Sequence, residues 1–211
     1  MSKKKSKWKK VLATGIIATS LGLGYWSSKA FYTVTEVVDG DTFVTTEKQY
    51  IRLDSVNAPE LQDCMGPEAK AQLEKLVLHK KVYIKVSFIN GMRLIASVYT
   101  AEGNVGAKML ETGMATFADK SAQKQSELLK ISQKAREKGV GVYSPVCTQL
   151  ENSVNPKCSI KGNIREGVKY YRNTSCYYYN HTTIELYKGD RWFCTEKEAK
   201  AAGFAKGSDC N

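Results

Sequence analysis

Val34-Thr35-Glu36-Val37-Val38-Asp39-Gly40-Asp41-Thr42-Phe43-Val44 is the stretch that decides how the first half of this chain folds. β-Branched and aromatic residues flank Asp39-Gly40, and an Asp-Gly pair between such runs is the strongest short-range hairpin signal. Residues 33–46 therefore read as strand, sharp turn, strand. A third strand follows over residues 49–56 and ends before Pro59.

Outward from the hairpin, Pro67 opens a helix at its first turn, with Glu68 beside the positive end of the helix dipole. Ala69, Leu73, Leu76 and Val77 recur at helical spacing and mark its buried face. Val82, Ile84, Val86 and Phe88 alternate, which predicts a half-buried strand over residues 81–88. Asn90-Gly91 then turns the chain into a strand over residues 93–99. Asn104 caps a helix that buries Val105, Met109 and Leu110 and stops at Gly113. A last helix spans residues 126–138, with Gly139 placed to end it. Five strands interrupted by one helix, with two helices after them, predict an α+β unit. It is built on a partly open five-stranded barrel of the OB-fold kind, whose loops bind oligonucleotides.

The termini carry different information. Six lysines precede an apolar run from Val11 to Trp26, and Ser28-Lys29-Ala30 closes it with small residues. A basic head, an apolar core and such an ending predict a signal peptide or N-terminal membrane anchor over residues 1–30. The run of about 16 residues falls short of the roughly 20 that span a bilayer, while Tyr25 and Trp26 suit its interface. Either way the rest of the chain faces outward. Seven lysines before residue 31 account for most of the formal charge of +11, leaving +4 for the remainder. Bulk charge is therefore only mild evidence for a polyanionic partner.

Six cysteines lie after this segment: Cys64, Cys147, Cys158, Cys176, Cys194 and Cys210. An even count in an exported chain points to disulfides, and no Cys-x-x-Cys pair suggests zinc. A polar linker over residues 148–156 separates the larger unit, residues 31–147, from a unit over residues 157–211. The latter is too small to hold together without crosslinks. Its four cysteines allow three pairings that spacing does not distinguish. Its mix of cations and tyrosines could stack on single-stranded bases, although a tyrosine core is the plainer reading.

Phosphodiester hydrolysis needs an activated water, cations to neutralise the phosphoryl oxygens and usually a metal. Asp39 and Asp41 place two carboxylates on the tight turn. Arg52 lies in the next strand, Asn57-Ala58-Pro59-Glu60 follows, and Arg93 opens the strand after the second turn. Taken singly, each of these is an ordinary turn, strand or loop residue.

As a set they are specific. Val38-Asp39-Gly40-Asp41-Thr42, Ile51-Arg52-Leu53, Asn57-Ala58-Pro59-Glu60, Gly66-Pro67-Glu68-Ala69, Arg93 with Ala96-Ser97-Val98-Tyr99, and Leu110-Glu111-Thr112-Gly113 resemble the staphylococcal nuclease (thermonuclease) family. Lys134-Ala135-Arg136-Glu137 and Gly141-Val142-Tyr143 extend the resemblance, which covers residues 33–146. It implies an OB-fold barrel with one Ca²⁺ site, to which Asp41 gives a carboxylate and Ala58 a backbone carbonyl. Glu60 stands at the general base, and Arg52 and Arg93 at the two phosphate-binding arginines. Guanidinium forks suit phosphate oxygens, and Ca²⁺ suits all-oxygen ligands. Asn57 departs from the pattern: it replaces a second metal aspartate by an amide, removing one negative charge. Asp119 and Ser121 occupy the stretch where the family carries a pair of tyrosines.

The resemblance further implies a Cys64–Cys147 bridge. The C-terminal unit resembles a small domain appended to exported bacterial nucleases, marked by Cys158-Ser159-Ile160-Lys161-Gly162, Cys176 and Trp192-Phe193-Cys194. Those domains imply Cys176 with Cys194 and, by remainder, Cys158 with Cys210. The expectation is thus an exported Ca²⁺-dependent endonuclease, secreted or anchored to the outer face of the cytoplasmic membrane. It acts on DNA and RNA to leave 3′-phosphate ends, touches membrane only through residues 1–30 if these are retained, and implies no protein partner. The competing reading is a non-catalytic OB-fold module that binds nucleic acid at the cell surface.

Overall fold

The computed structural model describes residues 31–118 and 127–210. The expected signal segment, residues 1–30, lies outside them, as do Asp119 and Ser121. β1 (Phe31–Val37) and β2 (Thr42–Thr45) form the hairpin around Asp39-Gly40, with Val37 opposite Phe43 and the Val38 N–H donating to the Thr42 carbonyl at 2.9 Å. β3 (Tyr50–Leu53) pairs antiparallel with β2, and the residues after it form a separate short strand, β4 (Val56–Asn57). α1 (Gly66–Val77) begins with proline in its first turn and buries Ala69, Leu73, Leu76 and Val77, as their spacing predicts.

β5 (Lys81–Asn90) and β6 (Arg93–Thr100) form a long hairpin, followed by β7 (Gly103–Asn104). In α2 (Val105–Glu111), the Asn104 side chain caps the helix by accepting from the Ala107 N–H at 3.0 Å. β8 (Thr116–Phe117) pairs with β4, and α3 (Glu127–Glu137) ends ahead of Gly139. β1 pairs with β2 and β5, β2 with β3, and β5 with β6, while β3 also runs parallel to β6. These pairings close a ring around Val34, Phe43, Ile51, Leu73, Met109 and Leu110. With β7 on the edge of β6, the sheet has six strands where five were expected.

One strand departs from its predicted face. Alternation puts Val86 and Phe88 inward with Val82 and Ile84, yet Val86 is 46% and Phe88 56% exposed whereas Val82 and Ile84 are buried, so β5 leaves the core after Ile84. Val86 pairs with Ala96 but Phe88 pairs with Ile95, so β5 advances two residues while β6 advances one. A bulge at Ser87 therefore reverses the alternation.

β9 (Thr148–Gln149), within the expected linker, pairs with β12 (Ile184–Glu185). Between them lie β10 (Ile160–Arg165) and β11 (Val168–Arg172). β13 (Arg191–Phe193), a fourth helix α4 (Glu196–Ala201) and β14 (Ala205–Lys206) complete the chain. The sheet order is β13-β10-β11-β14. A reciprocal Thr195–Glu198 capping box starts α4. The core of this part is Ile160, Tyr171, Phe193, Ala199 and Phe204. Of the tyrosines expected there, Tyr171 is fully buried, while Tyr177 and Tyr178 are exposed.

All six cysteines are bridged. Cys64–Cys147 forms as the resemblance implies, but the other two bridges are Cys158–Cys194 and Cys176–Cys210, not Cys176–Cys194 and Cys158–Cys210. Strand pairing explains the exchange. Ile160 faces Phe193 across β10 and β13, which brings the residues just outside those strands, Cys158 and Cys194, together. The chain end folds over the loop after β11, where the Tyr177 N–H donates to the Asp209 carbonyl at 3.1 Å and Arg172 Nε donates to the Asp209 carboxylate at 2.9 Å. Cys210 thereby meets Cys176.

Candidate active site

The hairpin turn brings the first site residue into the interior. Gly40 is required by the close approach of its neighbours: a Cβ there would lie 2.6 Å from Ala58 Cβ and 2.7 Å from Ala69 Cβ. The turn thus packs against both the Ala58 loop and α1, and Asp41 follows with only 3% of its surface exposed. Asp41 Oδ1 accepts from Thr42 Oγ1 at 2.8 Å and pairs with Arg52 Nη1; Oδ2 accepts from the Ala58 N–H at 3.1 Å. Burial pushes the Asp41 carboxyl up to about 6 even though the Arg52 guanidinium draws it down, and Asp39 adds to the rise.

Cross-strand register places Arg52 opposite Thr42, next in sequence to Asp41. Its guanidinium spans two partners, because Nη2 donates to Asn57 Oδ1 at 2.8 Å while Nη1 holds Asp41. Asp41, Arg52, Asn57 and Ala58 therefore form one hydrogen-bonded cluster.

Glu60 and Arg93 complete the cleft. Arg52, Glu60 and Arg93 line one cavity of about 710 Å³, together with Asp54, Ser55, Phe88, Asn90 and Ile95. Arg93 arrives through the parallel pairing of β3 with β6, which sets it beside Tyr50. Glu60 is positioned by backbone packing: its carbonyl accepts from the Asp63 N–H at 2.9 Å, and a Cβ on Gly66 would lie 2.0 Å from that same oxygen. The Cys64–Cys147 bridge ties this loop to the segment that follows α3. Sequence reasoning missed the contributions of Asp54, Asn90 and Phe88. For Phe88 the alternating pattern pointed inward, and nothing local signals the bulge.

The donors a cation could take are oxygens: the Asp41 carboxylate and the Asn57 amide, both here held by Arg52, and the Ala58 backbone carbonyl. They suit a hard divalent ion better than zinc, and a buried carboxylate held near 6 gains from a positive charge beside it. Among the described residues no group of three or more His, Cys, Asp or Glu stands ready to hold a metal. The single carboxylate agrees with the charge lost at Asn57.

Comparison with known proteins falls in line with this geometry. Residues 50–145 match the family described as staphylococcal nuclease homologue. Over 142 residues the chain is 28% identical to a protein of Haemophilus influenzae described as an uncharacterized endonuclease, an overlap covering 64% of this chain and 79% of the relative. Over 127 residues it is 32% identical to Protein ParB of Escherichia coli, covering 53% of this chain and 71% of that protein. Fold, cleft and relatives define a class, the nucleases that hydrolyse phosphodiester bonds. Within that class the chain belongs to the staphylococcal nuclease homologue family, and its nuclease unit is an α+β OB-fold. Nucleases of this family are generally metal-dependent and act on nucleic acid. The three disulfides fit an oxidising compartment. Among the described residues no helix is long and apolar enough to cross a membrane.

Proposed function

We propose that the protein is an exported, Ca²⁺-dependent endonuclease that cleaves DNA and RNA to leave 3′-phosphate ends. Two units divide the described chain, the nuclease unit up to residue 147 and the cysteine-containing unit from residue 157. The observation that carries the reading is that Arg52 and Glu60, on either side of β4, line one cleft with the distant Arg93, and that Arg52 is hydrogen-bonded to Asp41 and Asn57.

Glu60 takes a proton from the water that attacks phosphorus. Arg52 and Arg93 neutralise the charge gathering on the equatorial oxygens, and the bond to the 5′-oxygen breaks as that oxygen takes a proton from solvent to leave as a hydroxyl. Without an ion Arg52 is held by Asp41 and Asn57, and an ion taking those oxygens would release its guanidinium toward the phosphate. Asp41, Asn57 and the Ala58 carbonyl would hold the calcium ion, which supplies Lewis-acid polarisation of the phosphate. With Asn57 neutral, that ion binds more weakly than with a second carboxylate. Export is supported by the basic-apolar leader and the three bridges.

Cleavage of single-stranded and duplex DNA and of RNA, with calcium and with chelator, tests the reading. Calcium-dependent cleavage that disappears in Arg52→Ala and Glu60→Gln supports it. A folded, calcium-saturated protein without cleavage sinks it, as does cleavage by both variants at the rate of the unmodified protein.

A further inference from the structure

The bulge at Ser87 does more than interrupt a pattern. Neighbouring residues of a strand face opposite sides of the sheet. Because Val86 pairs with Ala96 and Phe88 with Ile95, Phe88 is turned onto the face opposite to Val86. That face carries the cleft. Ile95 pairs on its other side with Arg52, and two residues back Arg93 lies between Tyr50 and Asn90. Two rows therefore run side by side across β3, β6 and β5: Arg52, Ile95, Phe88 and Tyr50, Arg93, Asn90. Each row contains one of the two arginines and one aromatic ring. Phe88 is 56% exposed and Tyr50 44% exposed.

The bulge is anchored. Ser87 Oγ donates to Asp54 Oδ2, and the Asp54 N–H donates to the Ala96 carbonyl at 2.9 Å. Asp54 directly follows β3, so the device that turns Phe88 is fastened to the strand carrying Arg52. Phe88 itself lines the same cleft as Arg52, Glu60 and Arg93. It stands two strand spacings, about 10 Å, from the Arg52 backbone. One nucleotide can bridge that distance from its phosphate to its base. A flat apolar ring at that distance, exposed on the cleft face, matches the stacking platforms of proteins that hold single strands.

We propose that Phe88 is the base-stacking residue of this cleft, with an unpaired nucleobase next to the bound phosphate lying on its ring. The inference rests on the nuclease reading of the cleft. Tyr50, in the neighbouring row, flanks the path of the strand. Phe88 is a positioning residue: it sets where the chain of nucleotides lies relative to Arg52 and Arg93 and leaves the bond-breaking step to them.

The test uses the full chain and a single-stranded oligothymidylate with one cleavable linkage, beside a matched oligomer that lacks the bases flanking that linkage. Stacking predicts that Phe88→Ala raises KM about five-fold or more, with kcat changed less, as expected for loss of one base–aromatic contact. Phe88→Trp restores the low KM, whereas Phe88→Leu, which keeps apolar cover over Ile95 without a flat face, does not. Removing the bases raises KM for the unmodified protein and has little effect on Phe88→Ala. A KM for Phe88→Ala within about two-fold of the unmodified value, or full rescue by Phe88→Leu, overturns the proposal. Binding is read separately in chelator, where the tryptophan emission added by Phe88→Trp should be quenched by the oligothymidylate. Quenching without any cleavage by the unmodified protein refutes the nuclease reading and keeps the stacking site. Cleavage without quenching refutes the stacking site alone.

Discussion

Replacing Cys64 and Cys147 together by alanine removes a crosslink that closes a loop with a sequence separation of 83. In the chain-entropy account, a loop of that length restrains the unfolded chain by about 4.5 kcal/mol at 25 °C. Alanine is the better replacement, because Cys147 is fully buried among Ala135, Val142, Tyr143 and Tyr187, and a serine hydroxyl there would add a desolvation cost. A domain of ordinary stability, about 5–15 kcal/mol, stays folded after such a loss but near the bottom of its range. Denaturant titration of the oxidised protein and the double variant should show the midpoint falling. The slope should rise, since the freed unfolded chain exposes more surface. Cleavage measured along the same titration should move with the structural midpoint, because Glu60 is held locally by Gly66 and Asp63 as well as through the bridge. A loss of stability below about 1 kcal/mol would refute the reasoning, since the unfolded chain would then not be what the bridge restrains. So would a loss of activity in variant protein shown to be folded.

Gly66→Ala should cost about 1–3 kcal/mol and most of the activity, because its Cβ meets the Glu60 carbonyl and Leu61 Cα, backbone atoms that cannot yield without moving the base; denaturation and cleavage rates measured together check it. Asn57→Asp should bind Ca²⁺ more tightly by calorimetry, and equal or weaker binding would remove the explanation offered for the departure at this position. Asp41 has its folded carboxyl raised to about 6 from 3.8, so its contribution to stability is fully present below pH 3.8 and is lost as pH rises through about 6. In chelator, the stability of Asp41→Asn relative to the unmodified protein should therefore increase by about 2–3 kcal/mol between pH 4 and 7, and a flat difference across that range would contradict the burial argument.

Local chemistry was legible wherever one element contains its own reason. Asp39-Gly40 makes its hairpin, Pro67 and the spacing of Ala69, Leu73, Leu76 and Val77 make α1, and Asn104 caps α2 through its own side chain. Those signals act within a few residues, and so survive without knowledge of the rest of the molecule. The candidate residues Asp41, Arg52, Asn57, Glu60 and Arg93 could be named because their types and spacing together match one family.

Tertiary structure alone decided how those elements meet. The parallel pairing of β3 with β6 joins segments about 40 residues apart and carries Arg93 to the cleft that Arg52 lines, a contact no local pattern encodes. The bridges of the C-terminal unit follow the same logic: Cys158 pairs with Cys194 because β10 lies against β13, and four cysteines of similar spacing cannot express that adjacency. Phe88 shows the limit most directly. Its position in an alternating run says inward, but one extra residue at Ser87, fastened to Asp54 across the sheet, turns it outward. The side-chain period of a strand is two residues, so a single insertion in the pairing reverses every face beyond it. The amino-acid sequence alone determined the elements and the chemistry of this protein; the pairing of distant strands decided which side chains share a cleft.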